Sequence, residues 1–177
     1  MRTKYFLFCM LILLLIISCN QQKQIKTNGL IEMKLTSSAF QNNVQIPSEF
    51  TCDGDDLSPP LSISEVPSNA KSLVLINDDP DAPVGTWDHW VVFNIPPSTR
   101  QIAKGTEPDG TAGKNSWGRT GYGGPCPPSG THRYLFKLYA LDTTLNLPES
   151  STKKELERAM QGHIIGQAQL MGTYKRL

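Results

Sequence analysis

From residue 31 onward, short apolar runs alternate with turns, and the spacing within each run predicts the element it forms. Ile31-Glu32-Met33-Lys34-Leu35 and Leu61-Ser62-Ile63 change from apolar to polar at every step, as strands do when one face is covered. Lys71 to Asn77 (KSLVLIN) and Trp90 to Ile95 (WVVFNI) are unbroken and rich in β-branched residues, which predicts central strands covered on both faces. His132 to Leu141 is longer. Counted by two, His132, Tyr134, Phe136, Leu138 and Ala140 share one face, so a histidine leads an otherwise apolar row. Only one stretch reads as helical: Thr152-Lys153-Lys154-Glu155 matches a capping box, and Leu156, Ala159, Met160, His163, Ile164 and Gln167 follow at helical spacing. A final strand is expected from about Ala168 to Tyr174. Turn signals such as Asp53-Gly54 and Ser58-Pro59-Pro60 separate the runs, and no repeat or internal linker interrupts them. The expected fold is β-rich α+β, mostly antiparallel, with one or two helices at its side.

The first thirty residues follow a different pattern. Arg2 and Lys4 precede an apolar run from Tyr5 to Ile17, and Ser18-Cys19 closes it, which is the order of a secretory signal. The run is shorter than the roughly 20 residues a bilayer span needs. Ile16-Ile17-Ser18-Cys19 resembles a bacterial lipobox, whose cysteine is acylated and becomes the mature N-terminus; ordinary secretion with Cys19 incidental is the alternative. The division expected is a lipoprotein signal at 1–18, lipidated Cys19 with a flexible tether at 19–30, and one domain at 31–177. Asn20 follows the cysteine, so by resemblance to known sorting rules inner-membrane retention is not signalled, and the membrane and face stay open.

Removing residues 1–18 takes away two basic residues and no acidic one, which turns the net charge of +1 into −1. That near-neutrality argues against nucleic acid or a polybasic membrane patch as the main partner. Of four cysteines, Cys9 leaves with the signal and Cys19 takes the lipid; Cys52 and Cys126 either pair or remain two buried thiols.

Two stretches carry the candidate chemistry. In Asp79-Pro80-Asp81-Ala82-Pro83 the prolines stiffen a loop that aims two aspartates, and Trp87-Asp88-His89-Trp90 follows at the mouth of a buried strand. In Gly121-Tyr122-Gly123-Gly124-Pro125-Cys126-Pro127-Pro128 the glycines admit a close ligand and the prolines keep the loop open, ahead of Gly130-Thr131-His132-Arg133-Tyr134. Taken singly, each residue has a plain structural reading. The aspartates cap local N–H groups, His89 rests on a backbone carbonyl, and Tyr122 plugs the core. Taken together, they predict one pocket in which Asp79 or Asp81 holds an imidazole and both His89 and His132 aim at an anion, with Tyr122 adding a hydroxyl.

The chain has no G-x-S-x-G elbow, no phosphate loop of the G-x-x-x-x-G-K-[ST] type and no G-x-G-x-x-G. A Cys126 nucleophile paired with His132 or His89, and a metal site from His89, His132, Asp79 and Asp81, are the weaker chemical alternatives; no close-spaced zinc pattern supports the second.

The motifs D-P-D-x-P, here Asp79 to Pro83, and G-x-H-R, here Gly130 to Arg133, resemble those of the phosphatidylethanolamine-binding proteins, also called Raf-kinase-inhibitor-like proteins. Thr51-Cys52-Asp53-Gly54, Ser58-Pro59-Pro60-Leu61, His89-Trp90-Val91-Val92, Gly124 to Pro128, Leu138 to Asp142 and Ala159-Met160-Gln161-Gly162-His163 extend the match over about residues 32–176, nearest the bacterial branch. The resemblance implies a large antiparallel sheet, a smaller sheet and a shallow pocket for phosphate-like headgroups. It implies that Asp79, Asp81, Trp87, His89, Tyr122, Pro127 or Pro128, His132 and Tyr134 line that pocket, and the loop reading adds Gly124. No cofactor and no catalytic residue is expected. Eukaryotic relatives inhibit kinases or serine proteases or serve as flowering signals, and family habit allows a homodimer. The lipobox departs from the usual bacterial member and weighs against cytoplasmic kinase control. The function expected is a membrane-tethered binding protein for a small anionic ligand, which is a phosphate, a carboxylate or a phospholipid headgroup. The alternatives are an inhibitor whose pocket rim docks on a protease or kinase, and a weak hydrolase.

Overall fold

The structure, a computed structural model, describes residues 29–176. The expected signal, Cys19 and most of the tether lie outside the described residues. Ten strands and one helix follow in order: β1 (Ile31–Glu32), β2 (Lys34–Thr36), β3 (Val44–Gln45), β4 (Leu61–Ser64), β5 (Ser72–Asp79), β6 (Trp87–Ile95), β7 (Gln101–Ile102), β8 (Thr111–Ala112), β9 (His132–Leu141), helix α1 (Lys153–Met160) and β10 (Ile164–Tyr174). The large sheet has the order β1-β10-β9-β5-β6-β8, with β3 also paired to β10, and the small sheet is β2-β4-β7.

The two unbroken apolar runs are β5 and β6, paired antiparallel at the centre of the large sheet. Alternate side chains serve different layers. Leu73 and Leu75 face the core toward the small sheet, together with Phe50, Leu61, Trp90, Tyr134 and Phe136. Val74 and Ile76 face a second core with Val91, Phe93, Leu156 and Met160 under α1. A strand covered on both sides needs apolar residues at every position, which is why these runs show no alternation. On β9 the expected row is buried from His132 to Ala140.

Three expectations are corrected. The large sheet is mixed rather than antiparallel, because the short edge strands β1 and β3 run parallel to β10. The alternating run Ile31 to Leu35 is two strands, with β1 in the large sheet and β2 in the small one, and Met33 N–H still donates to Gln167 O as the chain changes sheets. The helix ends at Met160 rather than running on to Gln167, and the last strand starts at Ile164 rather than about Ala168. Gly162 turns the chain at φ +81°, and Ile164 onward pairs with β9. The helical spacing of Ile164 and Gln167 is overridden by that long-range ladder, which satisfies backbone groups a longer helix would have used locally. The capping box at Thr152 and Glu155 is formed as expected.

An ion-pair cluster joins α1 to the strands beside the candidate site. The fully buried Asp78 accepts from Lys137 Nζ at 2.8 Å and from Lys153 Nζ at 2.6 Å, and Lys153 also lies 3.0 Å from Asp88. The first turn of the helix therefore pins β5 and β6 at the residues immediately before Asp79 and His89.

Candidate functional site

At the end of the large sheet, β5 runs into the stiff Asp79 to Pro83 loop and β6 starts at Trp87. Their register slips here: Asn77 pairs with Trp90 but Asp78 pairs with Asp88, leaving His89 as the extra residue of a bulge. A bulge lets neighbouring residues turn to one face. Trp90 accordingly packs into the core against Tyr122, and His89 meets Tyr134 edge-on at 5.2 Å between ring centroids.

His89 is buried, and its Nδ1 lies 2.6 Å from Gly123 O, while Gly123 N–H donates back to His89 O at 3.0 Å. A carbonyl only accepts, so Nδ1 carries the proton and Nε2 is the ring nitrogen left for the cavity. Burial holds this imidazole below its usual value of 6.5, although the Gly123 carbonyl opposes the shift, and the neutral ring is favoured. Because the folded state binds this proton less readily than the unfolded chain, stability is highest above 6.5 and is lost as the pH falls through the lower folded value. The thermal midpoint is therefore expected to fall between about pH 7 and about pH 5, and to fall less in His89→Gln. Equal pH dependence in the two proteins would exclude a neutral buried His89.

His132, first residue of β9, is buried with its Nδ1 2.7 Å from Asp79 Oδ2. The other Asp79 oxygen accepts the Asp81 N–H at 2.8 Å, an Asx turn across Pro80. Asp81 turns outward. It accepts from Arg133 Nε at 2.8 Å, Arg133 Nη2 at 2.7 Å and Arg133 N–H at 2.9 Å, and this guanidinium holds its carboxyl down at about 2. Beneath His89, the Tyr134 hydroxyl is buried. Burial first, and the Asp79 carboxylate second, push that hydroxyl far above its ordinary value, so it remains a proton donor.

Two loops close the walls. Asn115 Oδ1 accepts from the N–H groups of Trp117 and Arg119 while its Nδ2 donates to Gly121 O, and Ser116 exchanges bonds with Asp88. This stitched turn sets Trp117 edge-on to His89 at 5.0 Å and to Trp87 at 5.5 Å. The loop from Gly121 to Pro128 is tied to the segment after Phe50 by a Cys52–Cys126 disulfide, with Cα atoms 5.4 Å apart, and by Cys52 N–H donating to Pro125 O. The pair left open by the sequence is thus a disulfide, and it removes Cys126 as a thiol nucleophile. The resulting cavity measures about 400 Å³. Among the described residues no group of three His, Cys, Asp or Glu side chains converges as a metal site.

The family model for phosphatidylethanolamine-binding proteins matches residues 36–175, most of the chain, from the end of β2 through β10. The chain belongs to the phosphatidylethanolamine-binding protein family. A UPF0098 protein of Methanothermobacter thermautotrophicus is 52% identical over 150 residues, covering 81% of this chain and 99% of the relative. Another, from Pyrococcus horikoshii, is 51% identical over 150 residues, covering 79% of this chain and 75% of the relative. The crystal structure of a phosphatidylethanolamine-binding protein homologue from Chlamydia trachomatis superposes with a TM-score of 0.80 at 48% identity, covering 82% of this chain and 99% of that one. E. coli YbcL, described as a member of the mammalian family, superposes with a TM-score of 0.76 at 30% identity over the same shares.

Within this family member, Asp79, Trp87, His89, Gly124 and Pro128, of the expected site residues, line the cavity. The other expected residues stand off the lining. His132 stands behind Asp79, and Tyr134 lies beneath His89. Asp81 is drawn outward by Arg133, and Pro127 is buried away from the lining. Tyr122 is the core plug, its hydroxyl donating to Phe50 O at 2.9 Å, because the ring has more to gain against Trp90 than in the opening. Asp79 holds His132 and not His89, which takes the backbone carbonyl instead. The glycines serve close packing between parts of the protein: a Cβ on Gly123 would meet the Trp117 ring at 2.5 Å. The sequence reading missed Asp56, Trp117 and Arg119 as lining residues. Asp56 lies just after the Asp53-Gly54 turn signal and was not singled out. Trp117 and Arg119 sat in an unremarked turn just before Gly121.

Proposed function

We propose that this chain is a binding protein whose cavity accepts a small phosphate or carboxylate group, held near a membrane by a lipid on Cys19. The observation that carries the ligand reading is the set of groups left facing the cavity. His89 has spent Nδ1–H on Gly123 and offers Nε2 as an acceptor, whereas the Arg119 guanidinium offers donors. A singly protonated phosphate monoester carries one P–OH to give and ionised oxygens to receive, so it satisfies both kinds of group. The apolar rim of Val84, Trp87 and Trp117, with Val84 78% and Trp117 43% exposed, suits the uncharged remainder of such a ligand. The same rim favours, as a second reading, contact with a protein target. Membrane tethering is supported by the Ile16 to Cys19 pattern and by a disulfide that suits an oxidising compartment.

The test is a titration of the detergent-solubilised full chain with phosphate and with phosphoethanolamine, following the His89 and His132 ring signals by NMR. Saturable shifts of His89 at millimolar ligand or below are expected. Unmoved ring signals in a folded protein would end the anion reading and leave the rim as the candidate surface. The tether is checked in the same preparation: Cys19→Ser is expected to leave the membrane fraction, and its full retention there would count against lipidation.

A further inference from the structure

The loop's amide donor for an anion is already occupied by the protein itself. Gly123 commits both its N–H and its C=O to His89, which leaves the neighbouring Gly124 N–H. That N–H donates to Asp56 Oδ1 at 2.6 Å, and both residues line the cavity. The approach is close by construction. A Cβ at position 124 would lie 2.5 Å from Asp56 Oδ1 and 2.6 Å from Phe50 O, so only glycine permits it. Asp56 holds φ +55°, in the left-handed region that L residues seldom adopt, though aspartate is among those that tolerate it. The segment bearing Asp56 is locked to the Gly124 loop by the nearby Cys52–Cys126 disulfide. The described lining contains two carboxylates, Asp56 and Asp79, against one guanidinium, Arg119. Asp79 is engaged with His132 and with the Asp81 N–H, and Arg119 is stacked 5.7 Å over Trp117, so Asp56 is the lining carboxylate set directly on an amide of the glycine loop.

We propose that Asp56 is a specificity-determining residue of this cavity, an internal carboxylate that occupies the Gly124 N–H and must yield it when a ligand anion binds. This rests on the anion reading given above. Like charges brought together in a partly buried site oppose binding strongly, so Asp56 raises the threshold for simple anions. It admits those whose other contacts, to His89 Nε2 and Arg119, outweigh the displacement.

The probe is inorganic phosphate, titrated into the detergent-solubilised full chain with the Gly124 amide resonance as readout. Asp56→Ala frees the N–H, and Asp56→Asn keeps both size and an oxygen acceptor while removing the charge. Phosphate is expected to bind Asp56→Ala at least about tenfold more tightly than the parent, with a Gly124 amide shift on binding, and Asp56→Asn is expected to lie between them. Parent-like or weaker phosphate binding in a well-folded Asp56→Asn would overturn the role of the charge, even if Asp56→Ala loosens the loop. If the parent binds phosphate and neither variant changes its affinity, only this inference fails. If the parent and both variants leave phosphate unbound, the anion reading fails with it.

Discussion

Replacing Asp79 by alanine is expected to lower stability by about 3–5 kcal/mol and to abolish phosphate binding. Asp79 is 4% exposed and serves two partners at once, His132 Nδ1 at 2.7 Å and the Asp81 N–H at 2.8 Å. Its removal strands both in a place where water does not readily replace the lost oxygen, and an orphaned buried group carries its full desolvation cost. The effect spreads because the Asx turn also aims Asp81 at Arg133, and that grip fixes the loop carrying Ala82, Pro83 and Val84 along the cavity. Asp79→Asn retains one acceptor and is expected to lose less. Urea unfolding of both variants measures the order. An alanine variant within about 1 kcal/mol of the parent would mean that His132 and Asp81 find other partners, and the pair would then be no anchor of the site.

Loss of the Cys52–Cys126 disulfide, tested as the double serine variant, is expected to cost about 4 kcal/mol. The two cysteines are 74 residues apart, and a loop of that length gives the unfolded chain much freedom that the bond removes. The bond also has a local role, since it holds the Asp56 segment against the Gly121 to Pro128 loop. Amide exchange at Gly124 is therefore expected to accelerate more than exchange in the middle of β5, which both cores cover. Urea midpoints of the oxidised parent and the double variant, with exchange on both, supply the comparison. A loss below about 1 kcal/mol with unchanged Gly124 exchange would assign the wall to the Cys52–Pro125 and Asp56–Gly124 hydrogen bonds alone.

Much of the fold was legible because the strongest signals were local. The apolar runs at β5 and β6, the row from His132 to Ala140 and the Thr152 capping box each depend on a few neighbouring residues, and each stands where its spacing placed it. The elements misread were those whose fate is set at a distance. Ile164 and Gln167 have helical spacing, yet β9 offers them a ladder. Ile31 to Leu35 alternates like one strand, yet two sheets share it. Within the site, histidines, aspartates and stiff loops announced themselves by residue type, so Asp79, Trp87, His89, Gly124 and Pro128, which share one cavity wall, could be singled out from the chain alone. Asp56, Trp117 and Arg119 carry no local pattern that separates a cavity wall from an ordinary turn.

By itself the sequence determined the residue types of a pocket, the stiffness of its two loops and the family to which the chain belongs, because these reside in short motifs. Only the tertiary structure decided which group each polar atom meets: Asp79 with His132, His89 with Gly123, Asp56 with Gly124, Tyr122 with the core. Those pairings depend on hydrogen-bond distances of a few ångströms between segments tens of residues apart. They are settled by a one-residue bulge at His89 and a cross-link at Cys52, features that leave no periodic trace along the chain.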